Sequence, residues 1–217
     1  MSVRPCPLCG SSAVLFHRAE RTYYRCPSCA LVHVPPEQHL SAADEKAVYD
    51  QHRNAVNDPG YRRFLARIAD PLMAAVVPPA RVLDFGCGHG PALAAMFREA
   101  GYQAEDYDPF YFPDPSPLRD RYEVVTATEV VEHLAEPAAE LDGLWGCVRP
   151  GGWLGIMTKR QPSAEAFGAW HYLRDPTHIA FFAEATFCWF ARRWGAELHL
   201  PRDDVALLRR PVAGGAG

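Results

Sequence analysis

No run in the 217-residue sequence approaches the roughly 18 consecutive apolar residues of a membrane span. The apolar segment from Pro71 to Ala80 is short and carries three prolines. The first residues, Met1-Ser2-Val3-Arg4-Pro5-Cys6, hold no apolar run of the secretory kind, so a cytoplasmic protein is the expectation. There is also no excess of either charge. A net charge of -4 and a pI near 6.1 give no general attraction to nucleic acid or to an anionic membrane surface. The seven cysteines, an odd number with no leader, argue against a disulfide framework. No internal repeat is visible. What remains is a chain that is 48% apolar and 12% aromatic, enough for one medium domain plus a small appendage.

Four of the cysteines form two tight pairs, Cys6-x-x-Cys9 and Cys26-x-x-Cys29, sixteen residues apart. That spacing suits a four-cysteine zinc ribbon over 1–36, with a small residue (Gly10, Ala30) after each knuckle. So small a segment cannot bury a core of its own, and metal binding supplies its folding energy. Four thiolates leave zinc no open position, which makes the expected role structural. His17 and His33 are alternative ligands that such a site does not need. Arg4, Arg18, Arg21 and Arg25 give the ribbon a mild basic bias, for which a solvated face is a simpler explanation than a nucleic-acid surface.

The segment 37–79 reads as helical. Ser41 is a candidate cap, and Tyr61, Phe64, Leu65, Ile68 and Leu72 recur at three- and four-residue steps. From 80 to about 210, strand and helix patterns alternate, with strands expected at 81–85, 102–107, 122–127 and 153–158 and helices between them. A late helix at 185–194 and two short strands near 196–200 and 205–208 complete the pattern, and 211–217 reads as a loose tail. Such alternation implies an α/β fold with a parallel sheet covered on both faces.

The loop Asp84-Phe85-Gly86-Cys87-Gly88-His89-Gly90 follows a buried strand and precedes a helix. Its glycines permit a tight turn and close approach of backbone to a ligand. The acid at the strand end suits a cationic ligand, such as the amino group and sulfonium of S-adenosylmethionine (SAM). A second acid, Asp108, follows the next strand about 20 residues on, where a carboxylate accepts both hydroxyls of a ribose.

This loop resembles the first motif of class I SAM-dependent methyltransferases. The run from Gly101 to Asp108-Pro109 is similar to their second strand and acidic turn, and Tyr122 to Leu134 to the fourth strand and its turn. Arg149-Pro-Gly-Gly152 is similar to the turn before the fifth strand, and Asp175-Pro-Thr-His178 with Phe181-Phe182 to a late motif of small-molecule members. The resemblance implies a Rossmann-like sheet, parallel but for an antiparallel end hairpin, behind the zinc ribbon. It implies SAM as cofactor and S-adenosylhomocysteine as product. Asp84, Gly86 and Gly88 would contact the methionine end, Asp108 the ribose, Pro109 and Phe110 the adenine, and Thr128 and Glu129 the methyl side. Tyr49 or Tyr61 would cap the cofactor. One departure stands out: the segment 109–121 holds four prolines where the family has a helix and a third strand. A loop is expected there instead, the third strand lost, with Asp114 or Asp120 the nearest substitutes for the family's acid at the adenine amino group.

A hydroxyl or carbon acid must lose a proton on methylation, and a neutral imidazole is the usual base. His171 and His178 are the candidates, with His133 behind them. The sequence lacks an Asn-Pro-Pro-Tyr motif for amino groups and a nucleophilic-cysteine motif for pyrimidines. O- or C-methylation of a small molecule or metabolite is therefore the leading expectation. Two alternatives stand beside it: an RNA methyltransferase whose ribbon reads RNA, and a non-catalytic SAM-binding protein. The sequence leaves the oligomeric state open.

Overall fold

The computed structural model describes residues 3–51 and 55–212, so the expected tail at 211–217 falls outside the described residues beyond 212. Two sheets organise the chain. The N-terminal one begins with strands β1 (Val3–Pro5), β2 (Ser12–Arg18), β3 (Thr22–Arg25) and β4 (Val32–His33), paired antiparallel in sequence order. The helical segment follows as α1 (Ala42–Tyr49) and α2 (Pro59–Ala75). Ser41 caps α1 as its position suggests, accepting from the Asp44 N–H at 3.2 Å. Asp58 does the same for α2, ahead of a proline at the helix start.

The second sheet contains β5 (Arg81–Phe85), β6 (Gln103–Tyr107), β7 (Tyr122–Thr128), β8 (Val148–Met157), β10 (Glu197–Arg202) and β11 (Val205–Arg209), in the order β10-β11-β8-β7-β5-β6. The four strands from β5 to β8 are parallel, and the hairpin β10–β11 is antiparallel. Among the described residues no strand lies outside β6. The proline-rich segment 109–121 forms a loop with one short 3₁₀ turn at Ser116–Arg119, so the expected third strand is missing. Proline removes an amide donor and fixes φ, which bars a regular helix there.

Helices α3 (Ala92–Glu99), α4 (Pro137–Cys147) and α6 (Glu184–Trp194) follow their strands. Strand residues alternate between two cores, as a sheet covered on both faces requires. Val82, Val124 and Met157 join Leu65, Leu72 and Phe97 from α2 and α3. Leu83, Val125 and Leu154 join Leu141, Leu144 and Phe187 from α4 and α6.

The ribbon is not the self-contained unit that a boundary at residue 36 predicts. Its fifth strand is β9 (Ala180–Phe181), supplied from far along the chain and paired with β4. Tyr23 and Val32 are buried with Phe167, Tyr172, Ile179 and Phe181 from the segment after β8, which includes a short helix, α5 (Ala164–Phe167). Arg21, at the β2–β3 turn, donates to four carbonyls of that segment: Leu173 (2.7 Å), Asp175 (2.9 Å), Pro176 (3.0 Å) and His178 (2.8 Å). A guanidinium offers five donors in a fixed fork, and here most of them hold one loop in shape.

Candidate active site

A cavity of about 640 Å³ opens at the C-terminal ends of β5, β6 and β7, within the size range of small-ligand sites. Its floor is the loop after β5. Gly86 takes φ +72° and Gly88 φ +64°, and the Gly86 and Cys87 N–H groups donate to the Tyr107 carbonyl. A side chain at Gly86 would collide with Val130, its Cβ lying 2.3 Å from Cγ2. Glycine is therefore demanded twice, by the left-handed backbone and by the neighbour.

Asp108 ends β6 and lines the cavity. Its Oδ2 accepts from the Gly88 N–H at 2.9 Å, and its Oδ1 from the Phe110 and Tyr111 N–H groups at 2.9 and 3.1 Å. These bonds fix the carboxylate and tie the two turns together, leaving one lone pair on Oδ2 for a ligand hydroxyl. Pro109, Phe110, Thr128 and Glu129 line the same cavity, as do Tyr49 and Tyr61 from the helical segment.

Two expectations need correction. Asp84 does not line the cavity; it is 3% exposed beneath the loop, where Oδ1 accepts from the Thr126 hydroxyl at 2.8 Å. Burial pushes its carboxyl up to about 7. In this position Asp84 supports the loop from below. His171 is exposed, with Nε2 2.8 Å from the Lys159 Nζ, and it is not among the cavity residues. The 3₁₀ turn at His171–Arg174 buries Tyr172 and so turns His171 outward. Asp114 and Asp120 also stay away from the cavity, bonded to Ser116 and Arg81 respectively. The acid that does line it near Leu134 and Ala135 is Glu140 of α4, a residue the sequence did not single out.

His178 lines the cavity as expected, beside His133, with ring centroids 4.9 Å apart. Burial lowers the pKa of both imidazoles, and the neighbouring His133 adds to the effect on His178, which favours the neutral form of each. Two carboxyls accompany them, Glu129 half-buried and Glu132 fully buried. Glu129 takes φ +51°, a left-handed conformation unusual for its type. Glu132 is fully buried, on the 3₁₀ turn Val131–His133 after β7. Burial pushes both carboxyls up, and the Glu132 charge raises Glu129 further. The Tyr172 hydroxyl bridges them, bonding Glu132 Oε1 and standing 3.3 Å from Glu129 Oε2. Thr128 Oγ1, Glu129 Oε1 and Glu132 Oε2 are buried without a hydrogen-bond partner. Unpaired buried polar atoms are costly, and their concentration beside one cavity marks a place built to meet a ligand. Thr128, Glu129, His133 and His178 were sequence candidates; Glu132 and Asp175 lay in the quoted motifs without a role.

At the ribbon, the four cysteines converge as their spacing predicts. Their sulfur atoms all lie within 4.8 Å of one another, with Cys6–Cys29 at 3.5 Å and Cys9–Cys26 at 3.4 Å. Tetrahedral zinc with bonds of about 2.3 Å sets sulfur atoms roughly 3.8 Å apart, whereas a disulfide needs about 2.05 Å. The two knuckles repeat one geometry: Gly10 and Ala30 take φ +72° and +60°, and each N–H returns to the first cysteine's carbonyl at 2.9 Å. Of the arginines behind the basic bias, Arg4 pairs with Glu37, Arg25 lies over the Phe16 ring and Arg21 is spent on carbonyls.

Known proteins can now be set beside this geometry. A family model described as a methyltransferase domain matches residues 49–200, more than half of the chain. No curated protein sequence matches. Among solved structures, the chain is similar to an O-methyltransferase family protein from Burkholderia thailandensis at 17% identity and TM-score 0.56, covering 78% of this chain and 60% of that one. The chain thus spans under two thirds of that relative. It is also similar to the 1,6-didemethyltoxoflavin-N1-methyltransferase of the same organism, solved with 1,6-didemethyltoxoflavin and S-adenosylhomocysteine, at 16% identity and TM-score 0.51, covering 89% and 97%. A third likeness is to the SAM-bound magnesium protoporphyrin IX methyltransferase of Synechocystis, at 15% identity and TM-score 0.51, covering 78% and 91%. At these identities the structures speak to the fold, and the fold is the one described above. No helix among the described residues is long and apolar enough to cross a membrane.

Proposed function

Because the chain belongs to the methyltransferase domain family and is a SAM-dependent methyltransferase, we propose that it methylates a hydroxyl of a small molecule within the cavity above β5–β7. The observation that carries this reading is one cavity lined both by the glycine loop with Asp108 and by His133, His178 and Glu129. SAM supplies an electrophilic methyl group; the chain supplies position and proton handling.

Gly86, Gly88 and their neighbours admit the methionine end, and Asp108 takes the ribose. Pro109, Phe110 and Leu134 flank the adenine, with Glu140 as the acid at its edge. Tyr49 and Tyr61 close the cavity from the helical side. Thr128 and Glu129 face the methyl group, and the acceptor enters between them and His178. A cavity of about 640 Å³ shared by donor and acceptor favours a small acceptor over a polymer. The arginines already engaged in the ribbon, together with the acidic pI, leave little to favour RNA. A structural zinc on Cys6, Cys9, Cys26 and Cys29 holds the ribbon against the acceptor wall.

The test is calorimetric SAM titration followed by a transfer screen with labelled SAM against hydroxyl-bearing metabolites. Wild type should bind SAM and label such a metabolite, and Asp108→Ala should bind SAM at least about tenfold more weakly, the effect of losing one charge-assisted hydrogen bond. Label appearing only in RNA would overturn the choice of acceptor.

A further inference from the structure

One cluster beside the cavity is chemically more specific than proton handling requires. Glu132, His133 and His178 each present a ligand atom within 4.8 Å of the other two. The histidines are oriented alike. His133 Nδ1 lies 3.2 Å from the Thr177 carbonyl and His178 Nδ1 lies 2.9 Å from the Tyr172 carbonyl. A carbonyl only accepts, so each Nδ1 carries the proton and each Nε2 keeps its lone pair. A backbone carbonyl holding the far nitrogen is the usual way a metal-binding imidazole is oriented. Glu132 is likewise half engaged: Oε1 accepts from Tyr172, and Oε2 is buried with no partner. Asp175 Oδ2 stands 3.7 Å from His178 Nε2, too far for a hydrogen bond but adding negative charge. The two imidazoles line the cavity and Glu132 lies behind them, which leaves the open side of the trio facing the acceptor space.

We propose that Glu132, His133 and His178 form a divalent-cation site, distinct from the cysteine cluster, that binds the acceptor through its hydroxyl oxygen. Two nitrogens and one carboxylate oxygen, with positions left open, suit a first-row divalent ion such as Mn²⁺ or Fe²⁺, while four thiolates select zinc. The part concerning the acceptor rests on the methyl-transfer reading above. A cation at this point polarises the hydroxyl and fixes its oxygen toward the donor. The C–O bond then forms as the S–CH₃ bond breaks, the electron pair stays on sulfur, and the hydroxyl proton, made acidic by the cation, leaves to solvent through the cavity. The acceptor class that follows is a compound with one hydroxyl, or two adjacent ones, able to chelate the ion. Arg21 belongs to this arrangement as a positioning residue, because it holds the backbone carbonyls of Asp175 and His178 themselves.

The experiment uses the full chain with its ribbon loaded with zinc, titrated with Mn²⁺ while free Mn²⁺ is followed by electron paramagnetic resonance. Wild type should take up about one Mn²⁺ per chain. Glu132→Gln keeps the acceptor for Tyr172, and His133→Asn alters a half-buried ring; both should weaken uptake roughly tenfold or more while still binding SAM, which reports an intact fold. No uptake by wild type, or equal uptake by both variants, would overturn the site. SAM binding without Mn²⁺ uptake sinks the cation site and leaves the transferase. Mn²⁺ uptake without SAM binding keeps the cation site and sinks the transferase reading.

Discussion

Gly86→Ala isolates the demand that the loop makes on the chain. At φ +72° an alanine costs about 1–2 kcal/mol, because its Cβ crowds the carbonyl oxygen. The same Cβ would sit 2.3 Å from Val130 Cγ2 and 3.0 Å from Cγ1, and a β-branched side chain has no free rotamer in which to retreat. Overpacking of this kind adds about 1–3 kcal/mol. The sum, roughly 2–5 kcal/mol, corresponds to a fall in melting temperature of about 4–20 °C for a chain of this size. Any strain relieved by displacing the loop should appear as lost SAM affinity, tenfold for each ~1.4 kcal/mol. Val130→Ala removes both colliding methyl groups. In the double variant the overpacking share, about 1–3 kcal/mol, should be recovered while the backbone share remains. Thermal unfolding and SAM calorimetry on the four proteins close the cycle. A neutral Gly86→Ala, or a double variant no better than the single one, would refute the steric argument.

Three further outcomes follow from other parts of the molecule. Asp84 titrates near 7 in the fold and near 3.9 unfolded, so the folded state holds the extra proton and this contribution to stability fades as pH rises through 7. Between pH 5.5 and 7.5 it should cost about 2 kcal/mol, and Asp84→Asn should flatten the melting-temperature profile by that amount; parallel profiles would show that Asp84 is not the titrating group. Metal analysis should find about one zinc per chain after purification, lost in Cys26→Ser, and hydrogen exchange in that variant should speed up at 173–181 as well as in the ribbon. Full zinc content in Cys26→Ser would remove the thiolate assignment. Arg21→Ala, stripped of four carbonyl contacts, should lose about 2–4 kcal/mol of stability and most of its transfer rate while SAM affinity is kept; an equal loss of SAM affinity would show that the effect is not confined to the acceptor wall.

The glycine loop and the turn at Asp108 were legible because their signals are local. A glycine loop behind a buried strand, an acid after the next strand and four prolines in a short linker each act within a few residues, and the loop, Asp108 and the missing third strand all follow from them. The cluster around Glu132 and His178 was not, since its geometry is set by contacts between distant segments. The outward turn of His171 depends on Tyr172 being buried against Phe181 and Val32. Asp84 stands at the right place in its motif, but sheet depth and Thr126 on the neighbouring strand decide that it lies below the cavity. Glu132 reads as one more acid in a turn until folding brings His178 to it from 46 residues away. The ribbon's cysteine spacing predicted that four thiols converge, and they do, yet nothing in that spacing told of β9.

The β4–β9 pairing has a consequence for how the chain is made. During synthesis both cysteine pairs leave the ribosome well before residues 164–181, and the four thiols can gather before that segment exists. The strand edge of Val32–His33 and the aromatic face around Tyr23 then have no cover until residues 164–181 emerge. Over that interval the nascent chain carries an open edge beside bare rings, the kind of surface that recruits other chains or a chaperone. A truncation before residue 181 would therefore leave a ribbon with its thiols gathered but its edge and aromatic face uncovered, and such a fragment should aggregate where the longer chain does not.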